Sequence, residues 1–240
     1  MHFFRSYPTL DSTNSEAQRI LTTEKDAHGL VIFTPHQTQG RGQHGRSWIA
    51  QPHHHLSMTI ILRPPHLTPE KLPQLSMKVS LALIRLLFSL HITDVSIKWP
   101  NDIYAGKKKL AGILIENTLT SSRVQHCLIG IGMNVNEDRF PEHIPNAVSL
   151  FQISNKRYDL ESLARSAYAG IMNIFEEDDN SWKEEYHQHI FGMSATHTFD
   201  HGGMTMSAIV EGVNNEGKIL LRDQSGQVGS YHSHEVKWRL

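Results

Sequence analysis

Between positions 40 and 48 the chain reads Gly-Arg-Gly-Gln-His-Gly-Arg-Ser-Trp. Gly40, Gly42 and Gly45 let the main chain come close to a ligand, because glycine adopts backbone angles that other residues cannot. Exposed amides in such a loop can ring an anion, and the forks of Arg41 and Arg46 add fixed charge and paired donors. The indole of Trp48 offers a flat face to a ring or an apolar tail. These residues together suit a loop that folds over a phosphate-bearing ligand. Taken alone, they also suit a solvated basic turn.

Four further segments carry chemistry-bearing types. Asp11-Ser12-Thr13-Asn14 lies upstream of the loop. Lys98-Trp99-Pro100-Asn101-Asp102, Lys107-Lys108-Lys109-Leu110-Ala111-Gly112-Ile113-Leu114-Ile115-Glu116 and Gly130-Ile131-Gly132-Met133-Asn134 follow it. Asp102 is a reasonable Mg²⁺ ligand, since that ion takes one or two carboxylates and completes its shell with water and phosphate oxygens. Three consecutive lysines offer charge, and composition does not choose among them. Each segment has a plainer reading too: Ser12 or Thr13 as a helix cap, Pro100-Asn101-Asp102 as a turn, Trp48 as a core aromatic.

The elements that must hold these segments follow from periodicity. Asn14 to Thr23 reads as a helix, with Ser12, Thr13 or Asn14 as its cap. Leu30–Thr34, Leu56–Leu62, Val95–Lys98, Leu110–Glu116 and Cys127–Val135 read as strands. Thr68-Pro69 opens a helix whose Leu72, Leu75, Val79, Ala82, Leu83, Leu86 and Leu90 repeat at helical spacing, a core stripe. Asp159–Glu176 is a second amphipathic helix, and an acidic stretch runs on to Ser181. After about Met193, short strands alternate with glycine and asparagine turns, as in a small β-barrel or sandwich. The reading is a domain over 1–192 and a small β domain over 193–240.

Composition narrows the functional classes. In 240 residues Lys+Arg and Asp+Glu nearly cancel, leaving a formal charge of −1, so whole-chain electrostatics give no reason to expect DNA binding. Histidine is frequent, at 17, and net charge should rise in mild acid. Cys127 is the only cysteine, which excludes an internal disulfide and fits a reducing compartment. No signal peptide is legible, and no stretch reads as long and apolar enough to span a bilayer, so a cytoplasmic protein with no membrane partner is expected.

In their order, the motifs from Asp11 to Asn136 closely resemble the biotin protein ligases, biotin–[biotin carboxyl carrier protein] ligases. The resemblance implies an α+β fold: a mixed, largely antiparallel sheet flanked by helices, of the class II aminoacyl-tRNA synthetase/biotin ligase type, with a small SH3-like C-terminal β-barrel. It implies ATP and Mg²⁺ as requirements and biotin as substrate. Biotin would be activated to biotinyl-5′-AMP with release of pyrophosphate, then transferred to a lysine of a carrier domain belonging to a biotin-dependent carboxylase. Such chemistry needs positive charge and positioning more than a protein nucleophile.

The roles carry over residue by residue. The Lys-Leu-Ala-Gly register selects Lys109 as the principal catalytic lysine, with Arg41 and Lys98 beside the phosphates. Ser12, Thr13, Asn14 and Gln37 match groups on biotin, as do Gly40, Arg41, Gly42, Gln43, Lys109 and Gly112. Arg41, Arg46, Trp48, Asn101 and Asn134 match the nucleotide side, and Asp102 the Mg²⁺ ligand. Two departures stand out. Gln43 replaces a basic residue that many relatives carry, which should loosen retention of the adenylate unless Arg46 compensates. His53-His54-His55 stand where relatives often have Gly and Asn. Three consecutive histidines on one strand would point alternately and could not converge on a metal.

With ligase motifs beginning at Asp11, the expected type is the ligase without an N-terminal DNA-binding domain. A homodimer through exposed strand edges is the expected assembly. Two rivals remain at this stage: a lipoate- or octanoate-attaching enzyme of the same fold, and a non-catalytic biotin sensor.

Overall fold

The computed structural model describes residues 3–24, 26–49, 51–63, 67–120, 123–177 and 180–239. In chain order the elements are β1 (Phe4–Ser6), α1 (Thr13–Thr23), β2 (Val31–Thr34), β3 (Gly40–Arg41), β4 (Ser47–Trp48), β5 (His55–Leu62), α2 (Leu72–Ser89), β6 (Val95–Lys98), β7 (Asp102–Ala105), β8 (Lys108–Thr120) and β9 (Arg123–Asn134). They continue with α3 (Leu150–Ser154), α4 (Leu160–Glu176), α5 (Ser181–Gln188), β10 (Thr196–His201), β11 (Met204–Val213), β12 (Ile219–Arg222), β13 (Val228–Tyr231) and β14 (Val236–Trp238).

Seven strands form the main sheet in the order β1-β2-β5-β9-β8-β7-β6. Only β1–β2 is parallel; every other neighbour is antiparallel. The two faces divide by strand period. Met58, Ile60, Ile129, Ile131 and Ile113 point to one face and join the core with α2 and α4. Ile32, Ile61 and Leu128 point to the other, where α1 covers them with Ala17 and Ile20. Beyond α1, that second face runs on under no helix across β9, β8 and β7, and this uncovered floor carries the candidate site.

Five strands make a second, antiparallel sheet of SH3-like type in the order β13-β12-β11-β10-β14. Its Phe199, Val210, Ile219 and Val236 belong to the same apolar cluster as the main core. Two tryptophans tie the sheets: Trp99 Nε1 donates to Gly217 O (2.8 Å) and Trp238 Nε1 donates to Trp99 O (3.2 Å).

Several boundaries differ from the expectations. β1, β7, α3 and α5 are additional elements. They are short, and for strands of three or four residues periodicity gives little signal. Asp178 and Asp179 of the acidic stretch lie outside the described residues. The expectation of no membrane-length apolar stretch needs correction: Pro69–Ser89 is long and apolar enough to cross a bilayer by length and composition. Its apolar stripe is spent on the core, with Leu75, Val79, Leu83 and Leu87 buried.

Candidate functional site

Cross-strand register assembles the floor. Lys98 pairs with Asp102, Asp102 with Gly112, Gly112 with Gly132, and Gly132 with Ser57, a single row across five strands. Next to it runs Leu114–Gly130–Thr59. Directly opposed residues share a face, so these side chains all look out on the uncovered side. A β-bulge completes the row. Tyr104 faces Lys109 and Ile103 faces Ala111, leaving Leu110 as an extra residue in β8. In an uninterrupted strand, positions 109 and 112 would face opposite ways. The bulge turns Lys109 onto the floor, as bulges commonly re-aim a side chain.

The glycines are where the floor must be bare. A Cβ on Gly132 would lie 2.5 Å from the Trp48 ring, and one on Gly130 would lie 2.4 Å from Asn14 Oδ1. Gly112 has Lys109 Nζ and Trp48 within 3.3 Å of the same position. Gly112 was expected from sequence. Gly130 and Gly132 were quoted in a motif but given no role. Their spacing of two in an apolar strand was the available signal, since it puts both missing side chains on one face.

Polar groups close one end. Ser12 caps α1 by accepting from Ser15 N (3.4 Å). Gln37 Oε1 accepts from Thr13 N (2.8 Å) and lies 3.2 Å from Thr13 Oγ1. Asn14 Nδ2 donates to Glu116 Oε2 (2.7 Å), and Thr59 Oγ1 reaches both Thr13 Oγ1 and Asn14 Oδ1. Helix capping and cavity lining thus coexist at Ser12.

Charge gathers at the other end, one two-residue step along β9, or about 7 Å. Lys109 Nζ lies 2.6 Å from Asp102 Oδ1 and 5.6 Å from the Trp48 ring centre. Lys98 Nζ sits 4.9 Å from the Tyr104 ring centre. Burial holds the Lys98 ammonium below the usual lysine range; Asp102 opposes this, while Lys109 and Arg46 add to it as like charges. Burial also pushes the Tyr104 hydroxyl up to about 12, so it stays protonated. Three cations around one carboxylate leave an excess of positive charge suited to phosphate.

The loop forms a roof. β3 and β4 pair as a two-stranded ribbon around a 3-10 turn, with Gly42 N donating to Arg46 O (2.7 Å). It therefore has more internal structure than its glycines suggest. Arg41 reaches Glu116 at 3.5 Å. Trp48 Nε1 is buried with no hydrogen-bond partner among the described residues, a donor left for a ligand. The enclosed space is only about 60 Å³, far under the several hundred usual for a small-molecule pocket. The Trp48 indole lies on Gly132 within this space.

Most expected residues line this space. Ser12, Thr13, Asn14 and Gln37 do so at the polar end, and Arg41, Gly42, Gln43 and Trp48 from the loop. Asn101, Lys109 and Gly112 do so from the sheet. Asn101 Nδ2 also donates to Ile113 O (2.8 Å), pinning the turn before β7 to β8. Gly40 and Arg46 lie instead on an outer cleft beside the loop. Lys98 and Asp102 stand behind Lys109. Asn134 is not at the surface of the cavity: it is buried, its Nδ2 donating to Lys109 O (3.2 Å) and Val148 O (3.1 Å).

The histidine run behaves differently from its strand reading. β5 begins only at His55, and His53 takes a left-handed turn conformation (φ 64°). As a result both His54 Nδ1 (3.5 Å) and His55 Nε2 (3.3 Å) approach the Glu137 carboxylate. Among the described residues, no three His, Cys, Asp or Glu side chains gather as a metal site. Asp102 fits Mg²⁺ only with nucleotide oxygens completing the shell. Burial pushes the Cys127 thiol up to about 11, which suits a structural role.

The biotin/lipoate A/B protein ligase family model matches residues 7–134. The bifunctional ligase/repressor BirA of Bacillus spizizenii is 30% identical over 227 residues, covering 86% of this chain and 68% of that protein. The biotin–[acetyl-CoA-carboxylase] ligase of Mycobacterium tuberculosis is 30% identical over 157 residues, covering 64% of this chain and 56% of that one. The biotin protein ligase from Aquifex aeolicus, solved with biotin and ATP, superimposes with a TM-score of 0.83 at 25% identity, covering 100% of this chain and 99% of that chain.

Proposed function

The chain belongs to the biotin/lipoate A/B protein ligase family, and from that premise we propose that it is an ATP-dependent ligase attaching biotin to a lysine of a biotin carboxyl carrier domain. The observation that carries this reading is the cavity's asymmetry: hydrogen-bonding groups at one end, cations at the other, and between them a floor left bare at Gly112, Gly130 and Gly132. A ureido ring offers donors and an acceptor to Ser12, Thr13, Asn14 and Gln37, which the apolar end of a lipoyl or octanoyl chain cannot engage.

The biotin carboxylate and the α-phosphate of ATP must approach although both are anionic. Lys109 offsets that charge at the reacting oxygens, and Arg41 and Lys98 extend it over the phosphates. The carboxylate oxygen bonds to the α-phosphorus and pyrophosphate leaves. Asp102 would hold Mg²⁺ together with nucleotide oxygens, and the ion would supply further charge neutralisation. Without ligand Asp102 keeps Lys109 paired and in place; a bound phosphate competes for that ammonium. The indole of Trp48 shelters the acyl phosphate from water, and the carrier lysine then attacks the acyl carbon and displaces AMP.

Mass spectrometry of a carrier domain tests the reading. After incubation with the protein, Mg-ATP and equimolar biotin and lipoate, one lysine should gain the mass of biotin. A lipoylated lysine, or no addition, contradicts it. The soluble, cytoplasmic setting and a homodimeric assembly belong to the same proposal.

A further inference from the structure

Behind the floor lies a buried polar couple that the reaction scheme does not use. His55 is 2% exposed, Glu137 3% and Asn134 4%. His55 Nδ1 is 3.0 Å from Asn134 Oδ1, and His55 Nε2 is 3.3 Å from Glu137 Oε2. His54 is the other titratable group facing Glu137, outside hydrogen-bond geometry at 3.5 Å. The rings of Phe140 and His55 meet in a T-shaped arrangement with centroids 6.3 Å apart.

The protons follow from the partners. Lys109 O and Val148 O can only accept, so Asn134 turns its two N–H groups to them and its Oδ1 to His55. His55 Nδ1–H is then the donor to that oxygen, and Nε2 faces Glu137. Burial holds His55 below the usual imidazole range, opposed by Glu137 and Asn134.

Those two carbonyls matter because of the bulge. Next to the extra residue Leu110, Lys109 pairs with Tyr104 of β7 but has no partner in β9, and on that side it is held by the chain around Ala147. Lys109 N donates to Asn146 O (2.7 Å) and Val148 N donates to Lys109 O (3.0 Å). Asn134 bridges the two segments that meet there. Building on the ligase reading, we propose that the His55–Glu137 couple is a positioning device: through Asn134 it fixes the backbone of the bulge from which Lys109 reaches the reacting oxygens. His55 and Glu137 are positioning residues and touch no substrate.

Two isosteres separate this from a general structural role. His55→Asn puts an N–H donor where Nδ1 stands and gives up Glu137. His55→Gln puts its amide where Nε2 stands and gives up Asn134. Each keeps one of two hydrogen bonds. The expected result is a kcat for biotin- and ATP-dependent pyrophosphate release within about threefold of wild type for His55→Asn, and at least tenfold lower for His55→Gln, with the KM for biotin unchanged in both. The Val148 amide should exchange faster in His55→Gln than in His55→Asn, a readout that needs no turnover. Equal kcat values and equal exchange in the two variants overturn the proposal, as does a loss that simply follows the melting temperature. Should neither variant fold, the pair Glu137→Gln and Glu137→Leu carries the same test. The first can still pair with Nε2 and should stay within threefold, while the second leaves Nε2 unpaired and the ring free to turn and should fall at least tenfold; equal rates overturn the idea. A wild type that releases no pyrophosphate refutes the ligase reading instead, and the exchange ratio then still judges the couple.

Discussion

At the scale of single residues, Lys109 carries the largest expected effect. Its ammonium is the charge aimed at the reacting oxygens, while the groups proposed for the ureido ring lie a strand step away. Lys109→Ala should lower the rate of pyrophosphate release about 100- to 1,000-fold, the usual cost of losing one donor from a transition-state site. Biotin affinity by calorimetry should change far less. Near-normal turnover in this variant would reassign the catalytic lysine. Lys98 gives a pH signature. Its folded value lies below the ordinary lysine range because of burial, reinforced by Lys109 and Arg46. Phosphate favours the protonated form, so ATP affinity should weaken as pH rises through that lowered value. The KM for ATP, followed from pH 7 upward, should therefore climb in the wild type and stay flatter in Lys98→Arg, whose guanidinium remains charged. Parallel profiles would place Lys98 away from the phosphates.

At the scale of elements, the strands and helices that bury apolar faces were legible. α1, α4, β5 and β6 lie within a residue of where the apolar period puts them, and the structure picks Ser12 from the three candidate caps of α1 and makes Asp159 the cap of α4. The bulge at Leu110 was not legible, because a single extra residue leaves the apolar pattern of β8 intact. The buried bonding of Asn134 was not legible for a related reason: its motif marks a place in the sheet, whereas its partners, His55 and Val148, come from 79 residues before it and 14 after it. The histidine run misled because the strand start was set one residue from where the turn ends. The β3–β4 ribbon belongs to this scale too. It roofs a space of about 60 Å³, with Trp48 lying on Gly132. Limited proteolysis after Arg41 and Arg46 should be slowed by biotin with ATP, since contacts to the ligand would order a roof that otherwise rests on few. Cleavage at the same rate with and without ligand would rule out that ordering.

At the scale of the whole molecule, the change of texture near Gly192 marks a change of sheet within one apolar cluster. Phe199 and Val236 share that cluster with the main sheet, and Trp99 is hydrogen-bonded to Gly217 and Trp238. Units joined by a common core should unfold together. Calorimetry should show one transition, whereas two separated transitions would show two independent domains. A joined body also keeps the turn of Trp99–Asp102 fixed beside Lys109, which the proposed chemistry requires.

The most direct measurement is pyrophosphate release by the purified wild-type protein given Mg-ATP, with and without biotin. Release that requires biotin, and that is not elicited by lipoate or octanoate, is the predicted result. Release that is absent with biotin, or equally strong with lipoate, would contradict the assignment of this cavity to biotin activation.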